Sequence, residues 1–199
     1  MRRHIVTMTD SSPASFQSLK HHFLVAMPGL NDPTFESALI YLCEHTAEGA
    51  MGFIVNHQLD IPISTVFKQL ELTFDEQCGL APLFDGGPVQ RDRGFILHDA
   101  CERQWQSTTH LHSDICLTAS QDILADIAVG RGPDCALVTI GYSAWSAGQL
   151  EQELADNAWL TVPANSDIIF RTPMAERQQA AAQSIGVDLS ALAPDAGHG

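Results

Sequence analysis

The stretch that decides the fold is residues 135–160, CALVTIGYSAWSAGQLEQELADNAWL. Its first six residues form an apolar run that is typical of a buried strand, and the polar run after the glycines predicts a helix over 147–156. A second short strand is predicted at 159–162. The segment contains Trp145 and Trp159, two of the three tryptophans. Such a dense set of aromatic residues and glycines is typical of a tightly packed corner or of the wall of a binding site.

Strand and helix patterns are mixed along the rest of the chain. Strands are predicted at 23–27, 39–43, 51–55, 80–84, 94–97, 115–119, 135–140, 159–162 and 167–170, and helices at 63–70, 122–129, 147–156 and 173–184. The two runs at 39–43 and 51–55 are separated by seven residues and predict a hairpin or close neighbours in a sheet. Short links and the lack of a repeat favour a layered domain of the α/β or α+β class.

The composition predicts a single folded domain. Of the 199 residues, 45% are apolar and 17% are charged, which is enough to bury a core. We expect an α/β domain at 19–190, with two intertwined subdomains as the alternative, between a flexible tail at 1–18 and a second tail at 191–199. The polar residues 99–112 are the one candidate for an internal boundary. Residues 7–20 are too polar for an export signal, so the sequence predicts a cytoplasmic protein.

The charge of the chain limits its partners. Twenty-four acidic residues face 10 basic ones, which gives a formal net charge of −14. Duplex DNA and anionic membranes are bound largely through clusters of Lys and Arg, and the sequence contains no basic patch. Direct nucleic-acid binding and membrane binding are therefore disfavoured. The five cysteines form no Cys-x-x-Cys pair, so neither a zinc ribbon nor a redox motif is supported.

One motif resembles the nucleophile elbow of a hydrolase. Gly141 to Trp145 reads GYSAW and stands between a predicted strand and a predicted helix, where such an elbow lies. The elbow needs a small fifth residue, which is Trp145 here. The only histidine after Ser143 is His198, in the predicted C-terminal tail. The sequence therefore disfavours a hydrolase.

Two further motifs have simpler structural interpretations. His45, His57 and His98 follow or end apolar runs and would form a metal site only if those ends met on one sheet edge. No helical His spacing supports this, and no metal is predicted. Gly86-Gly87-Pro88 lacks the Gly-Lys-Ser/Thr of a phosphate loop and predicts a turn.

Four motifs together carry a resemblance to a known family. They are FLVAMPGLNDPTFESALIYLCEH (23–45), GAMGFIVN (49–56), GGPVQRDRGFILH (86–98) and GYSAWSAGQLEQELADNAWL (141–160). In this order they resemble the AlgH/YqgE family of bacterial proteins, over residues 19 to 170. The resemblance implies a fold of two closely packed α/β parts in a bacterial cytoplasmic protein that is labelled a transcriptional regulator. It brings no established activity or cofactor, and none is expected here. The family usually has Arg-Pro after Asn56, whereas this chain has His57-Gln58.

The function predicted from the sequence is that of a regulatory or binding protein for a small molecule or a protein partner. Polar and glycine-rich residues lie at the ends of apolar runs, where open α/β sheets tend to bind ligands. The candidate binding residues are Glu44, His45, Asn56, Gly86, Gly87, Pro88, His98, Asp122, Tyr142, Trp145, Gln149 and Asn157. The alternative is an enzyme of unknown class that uses Glu44, His45, His98 and Asp122 as acid or base groups.

Overall fold

The structure, a computed structural model, describes residues 16–192. The strands in this range are β1 (His22–Ala26), β2 (Leu39–Thr46), β3 (Gly49–Ile54), β4 (Gln58–Pro62), β5 (Pro82–Asp85), β6 (Val89–Asp99), β7 (Thr108–His110), β8 (Ile115–Thr118), β9 (Ala136–Ser146) and β10 (Trp159–Pro163). The helices are α1 (Ser64–Gln69), α2 (Glu76–Gly79), α3 (Asp122–Ala128), α4 (Gln149–Ala155), α5 (Ser166–Phe170) and α6 (Arg177–Gln183). The α/β class is confirmed. None of these helices has the length and apolar character needed to cross a membrane.

Strand β9 joins the two halves of the sheet. The strand order is β10-β1-β2-β3-β9-β6-β8-β7, with β4 and β5 attached beside β9. The end of β9 pairs with β3, and its first half lies between β6 and β5. The β5–β9 pair is parallel and the other pairs are antiparallel. The stretch 135–146 is therefore the structural centre of the described chain.

Alternation of side chains along the strands builds the core on both faces of the sheet. One face carries a core shared by both halves, with Phe23, Phe53 and Phe95 among its buried residues. Two separate hydrophobic clusters cover the opposite face of the sheet. Trp145 and Trp159 belong to the cluster under α4 in one half, and α1 and α3 cover the other half. One continuous core thus links the two α/β parts.

Most predicted elements are found. The hairpin is confirmed, because β2 and β3 pair antiparallel. Helices lie within the predicted ranges 63–70, 122–129, 147–156 and 173–184. The polar segment 99–112 contains β7, and the strands on either side of it, β6 and β8, pair directly. The predicted tails fall mainly on residues 1–15 and 193–199, which lie outside the described residues.

Two local predictions are wrong. Residues 167–170 were expected as a strand but lie in α5, because the Asn165 side chain accepts a hydrogen bond from Asp167 N–H (2.9 Å) and caps a helix. The stretch GYSAW is not a turn between strand and helix. It continues β9, where Ser143 pairs with Gly52 and Trp145 with Ala50. Pairing to β3 extends the strand six residues beyond the apolar run.

Candidate functional site

The predicted site residues do not meet at one place. Glu44 pairs with Met51, which pairs with Ala144 of β9, whereas His98 pairs with Ala136 of the same strand. Eight residues of β9 separate the two positions, about 26 Å at roughly 3.3 Å per residue. Asn56 and Gly86 lie at a third position, near the end of β3. The structure therefore divides the candidates into three groups.

The first group surrounds α4 and is centred on Glu153. The indole N–H groups of Trp145 and Trp159 both donate to Glu153 Oε2, at 2.9 and 2.8 Å. Gln149 donates to Glu153 Oε1 (3.0 Å) and accepts from the Ser146 N–H (3.0 Å). Both indoles are 5% exposed, and Phe35 packs against both. The aromatic residues therefore form a packed corner rather than an open platform for a ligand.

His45 connects this group to the start of the described chain. The Leu19 N–H donates to His45 Nδ1 (2.8 Å), which makes Nε2 the protonated nitrogen, and Nε2–H donates to Glu151 Oε1 (2.8 Å). The hydrogen bond from the Glu151 backbone is the largest cause that lowers the pKa of Glu151, and the hydrogen bond from His45 lowers it further. Both ring nitrogens of His45 thus have partners. Glu44 is exposed and lines a shallow concavity with Glu48.

The second group fixes loops at the end of β3. Asn56 Oδ1 accepts from the Leu39 N–H (2.7 Å), and its amide donates to the Ser37 carbonyl (2.8 Å). Ser37 has a φ of 55°, a left-handed conformation that is unusual for serine. His57 donates to the Glu36 carbonyl (3.0 Å). Asn56 and His57 therefore hold the loop that precedes β2.

Gly86, Gly87 and Gly141 allow close contact between backbones. The Gly86 N–H donates to Ile140 and its carbonyl accepts from the Ile54 N–H, which places it between β9 and β3. A Cβ on Gly87 would overlap the backbone of Tyr142, and one on Gly141 would overlap the Gly87 carbonyl. The turn interpretation fits this packing. The partly buried Tyr142 stacks edge-on against Phe95, and the exposed Pro88 follows the glycines.

The third group lies below the loop between β6 and β7. His98 is 1% exposed. Its Nδ1–H donates to the Asp99 carbonyl (2.8 Å), and its Nε2 accepts from the Thr118 hydroxyl (2.9 Å). Burial lowers the pKa of His98, against the smaller opposing effect of the hydrogen bond to Asp99. The ring is therefore a neutral, fully bonded part of the core.

Asp122 anchors the same loop. It accepts from the Ser120 hydroxyl (2.5 Å) and from the backbone N–H groups of Gln106 (2.9 Å) and Ile123 (3.1 Å). Burial acts to raise the pKa of Asp122, but these hydrogen bonds outweigh it and lower the pKa. A carboxylate held by three donors is suited to positioning a loop. These donors occupy three of the roughly four lone-pair sites of the carboxylate.

The remaining motif positions also have structural roles. Ser143 is fully buried and its hydroxyl donates to the Gly86 carbonyl (3.3 Å), which leaves no access for a nucleophile. Asn157 ends α4 in a left-handed conformation (φ 56°), which asparagine adopts more readily than most residues. Within residues 16–192, no three His, Cys, Asp or Glu side chains are grouped so that they could hold a metal ion.

A cavity that the sequence did not reveal lies between α1, α3 and the sheet. Its volume is about 300 Å³. The apolar floor consists of Val66, Leu70, Ile96, Leu124, Val138 and Ile140. Gln69, Asp92, Arg93, Ser120 and Gln121 line its polar rim. An apolar floor with a few polar groups at the mouth is the usual composition of a small-molecule site.

Gly94 leaves space in this cavity. A Cβ at this position would meet only the Thr139 carbonyl oxygen at 3.9 Å and Ile140 Cδ1 at 4.0 Å, both ordinary contacts. The floor residues come from α1 and its end, β6, α3 and β9, which are separated in sequence. A cavity of this kind depends on how a helix lies over a sheet, and no local motif encodes that distance.

Comparison with known proteins identifies the family. The profile of the AlgH-like family matches residues 23–190. This chain belongs to the AlgH-like family. A UPF0301 protein from Saccharophagus degradans is 48% identical over 183 residues, which covers 92% of this chain and 90% of that protein. The UPF0301 protein Pfl01_5311 from Pseudomonas fluorescens is 50% identical over 182 residues, which covers 90% and 95%.

Solved structures agree with the family and the fold. The solution structure of the AlgH protein from Pseudomonas aeruginosa matches with a TM-score of 0.76 and 45% identity, over 96% of this chain and all of that one. Protein DIP2367 from Corynebacterium diphtheriae matches with a TM-score of 0.68 over 90% of this chain and 93% of that one. At 16% identity, the second likeness concerns the fold alone. The family resemblance drawn from the four motifs is confirmed.

Proposed function

We propose that this AlgH-like protein is a non-catalytic binding protein whose ligand occupies the cavity between α1, α3 and the sheet. One observation carries the proposal: an apolar floor below a polar rim, enclosed on three sides by α1, α3 and β6. The volume of about 300 Å³ suits a small metabolite. The cavity is lined by none of the candidate binding residues chosen from the sequence, although Asp122 lies next to its rim.

The rim favours a polar ligand with an apolar part. Gln69 and Gln121 offer amide donors and acceptors, and Asp92 offers a carboxylate. In the described part of the chain Asp92 takes part in no salt bridge. Arg93 also lines the cavity, and its guanidinium lies 5.6 Å from the centre of the Phe95 ring and donates to Gln90. The floor would take the apolar part of such a ligand.

In this proposal any effect on transcription is indirect. The net charge of −14 opposes contact with DNA phosphates, so a ligand would act by changing contacts with a protein partner. The enzymatic alternative receives no support from geometry. His45, His98 and Asp122 are each engaged in structural hydrogen bonds, and Glu44 lies beside His45 on β2, in another part of the sheet from His98.

The test is a binding screen followed by a variant that fills the cavity. Purified protein is mixed with small amines and amides that carry an apolar group, and backbone amide shifts of Gly94, Ile96 and Leu124 are followed by NMR. For a compound that shifts them, Gly94→Val is expected to weaken binding at least tenfold, because the new side chain occupies the floor without backbone overlap.

The matched control is Gly94→Ala, which adds one methyl group and should retain most of the affinity. Both variants should unfold at the same urea concentration as the parent or higher, because a strand tolerates either residue better than glycine. Binding that is unchanged in Gly94→Val, or shifts that map to another surface, would show that the cavity is not the site.

A further inference from the structure

Two histidines from distant parts of the sheet stack face to face. The ring centres of His21 and His112 lie 3.6 Å apart with an angle of 5° between the rings. His21 immediately precedes β1, and His112 lies in the turn between β7 and β8. These strands are near opposite ends of the strand order, so the sheet curls until its two ends touch. The stack lies on the line where they meet.

Hydrogen bonds surround the stack on both sides. Tyr41, fully buried, pairs its hydroxyl with His21 Nδ1 at 2.9 Å. His112 Nδ1 pairs with Asp114 Oδ1 at 2.8 Å, and Ser166 at the start of α5 donates to Asp114 Oδ2 at 2.5 Å. We call these five residues, His21, Tyr41, His112, Asp114 and Ser166, the histidine seam.

The backbone of His21 is held in a strained conformation at this seam. Its φ is 61°, which is uncommon for a residue other than glycine. Its N–H donates to the Leu42 carbonyl (2.9 Å), and its carbonyl accepts from the Ala164 N–H (3.2 Å). The surrounding contacts therefore fix the ring over His112, at the cost of local strain.

The charges around the seam allow one proton but oppose a second. The titratable groups that face His21 are His22 in β1, Tyr41 in β2, and His112 and Asp114 in the β7–β8 turn. A proton on His112 lies beside the Asp114 carboxylate. A proton on His21 would place a second cation 3.6 Å from that ring.

We propose that the histidine seam is an acid-sensitive contact, which releases the β7–β8 turn from β1 and α5 when both imidazoles are protonated. Burial, followed by the repulsion from His112, lowers the pKa of His21 below 6.5, with a smaller opposing effect of Asp114. The unfolded chain therefore binds this proton more readily than the folded one. The contribution of the seam to stability is present above pH 6.5 and is lost as the pH falls below it.

Amide hydrogen exchange at two pH values tests the proposal. Between pH 7.5 and 5.5 we expect the protection factors of the amides of Leu111 and Ala164 to fall at least tenfold. Both amides donate hydrogen bonds next to the seam. Amides of the β3–β9 ladder should keep their protection. His112→Gln, which keeps a donor for Asp114 but cannot be protonated, should reduce the pH dependence at the seam, because the repulsion from His112 is gone while burial still acts on His21.

A matched control and a second measurement complete the test. His57→Gln removes a histidine that makes one hydrogen bond to a carbonyl and should leave the pH dependence intact. Direct NMR titration of the unmodified protein should show His21 gaining its proton below its ordinary pKa of 6.5. Equal loss of protection in the parent and His112→Gln, no pH dependence in the parent, or titration of His21 at or above pH 6.5 would each overturn the proposal.

Discussion

At the scale of single residues, Glu153 explains why two tryptophans stand around one short helix. Its Oε2 accepts from both indoles, and its Oε1 accepts from Gln149. Removing this acceptor leaves two indole N–H groups without a partner at positions that are 5% exposed. We therefore expect Glu153→Ala to lower the free energy of unfolding by about 2–4 kcal/mol, measured by urea denaturation.

The matched control for that prediction is Glu153→Gln. Its amide oxygen can accept from both indoles without a charge, so a loss of only about 1 kcal/mol is expected. Tryptophan fluorescence in the folded state should stay close to that of the parent in the Gln variant and change in the Ala variant. Equal stability of the two variants would mean that the indole hydrogen bonds contribute little.

Gly87 and Gly148 have different surroundings, and this difference gives a second prediction at this scale. Gly87 has a φ of 144° and faces the Tyr142 backbone, so Gly87→Ala should cost about 3 kcal/mol or more. Gly148 has a φ of 77° with no atom within 4 Å of a new Cβ, so Gly148→Ala should cost about 1 kcal/mol for backbone strain alone. Urea denaturation of both variants measures the difference, and a Gly148 variant as unstable as the Gly87 variant would contradict the overlap argument.

At the scale of elements, the stability of α5 depends on Asn165, the residue that caps its N-terminus. The Asn165 side chain caps the helix through Asp167 N–H, and the helix places Ile168 and Ile169 in the shared core. Asn165→Ala should lower the free energy of unfolding by about 1 kcal/mol, whereas Asn165→Asp keeps the acceptor and should remain within about 0.5 kcal/mol of the parent. Thermal denaturation compares the two, and equal losses would show that the cap is not the stabilising contact.

The same elements show what the sequence can and cannot reveal. Apolar runs located β1, β2, β3 and β8, and apolar spacing located α1 and α3, because these patterns depend only on local periodicity. Residues 167–170 are too short for periodicity to separate strand from helix, and Asn165 was the decisive signal. The extension of β9 through Ser146 depends on pairing with β3, which is a long-range contact.

The site was less predictable than the fold for a physical reason. Glycines, asparagines and tryptophans mark places where a backbone is tightly constrained, and at Gly87, Asn157 and Trp145 that constraint is packing. The cavity, in contrast, is lined by ordinary residues such as Val66, Leu124 and Val138. Arg177 was also missed. Its buried guanidinium donates to the Val55 and Thr172 carbonyls, and burial lowers its pKa to about 10.

At the scale of the whole molecule, the curled sheet encloses ionisable groups in a core that excludes their charged forms. His98 is buried and neutral on one face, while Tyr41 and Cys43 lie in the shared core on the other. Acid and alkali should therefore both destabilise the protein, each through different residues. The loss of stability in acid involves His98 as well as the histidine seam, because burial lowers the pKa of both His98 and His21.

The loss of stability in alkali gives the sharpest prediction for the whole molecule. Burial raises the pKa of Tyr41 and of Cys43. The folded chain therefore keeps protons that the unfolded chain releases above about pH 8.5 for Cys and about pH 10 for Tyr. Their contribution to stability is complete below those values and is lost as the pH rises, at about 1.4 kcal/mol per pH unit for each group.

Urea denaturation between pH 7.5 and 10.5 should show this decline. Cys43→Ala should flatten the part that begins near pH 8.5, and Cys135→Ala controls for the loss of a half-buried thiol outside the shared core. Equal slopes in the parent and Cys43→Ala would instead assign the alkaline decline to repulsion within a chain of net charge −14.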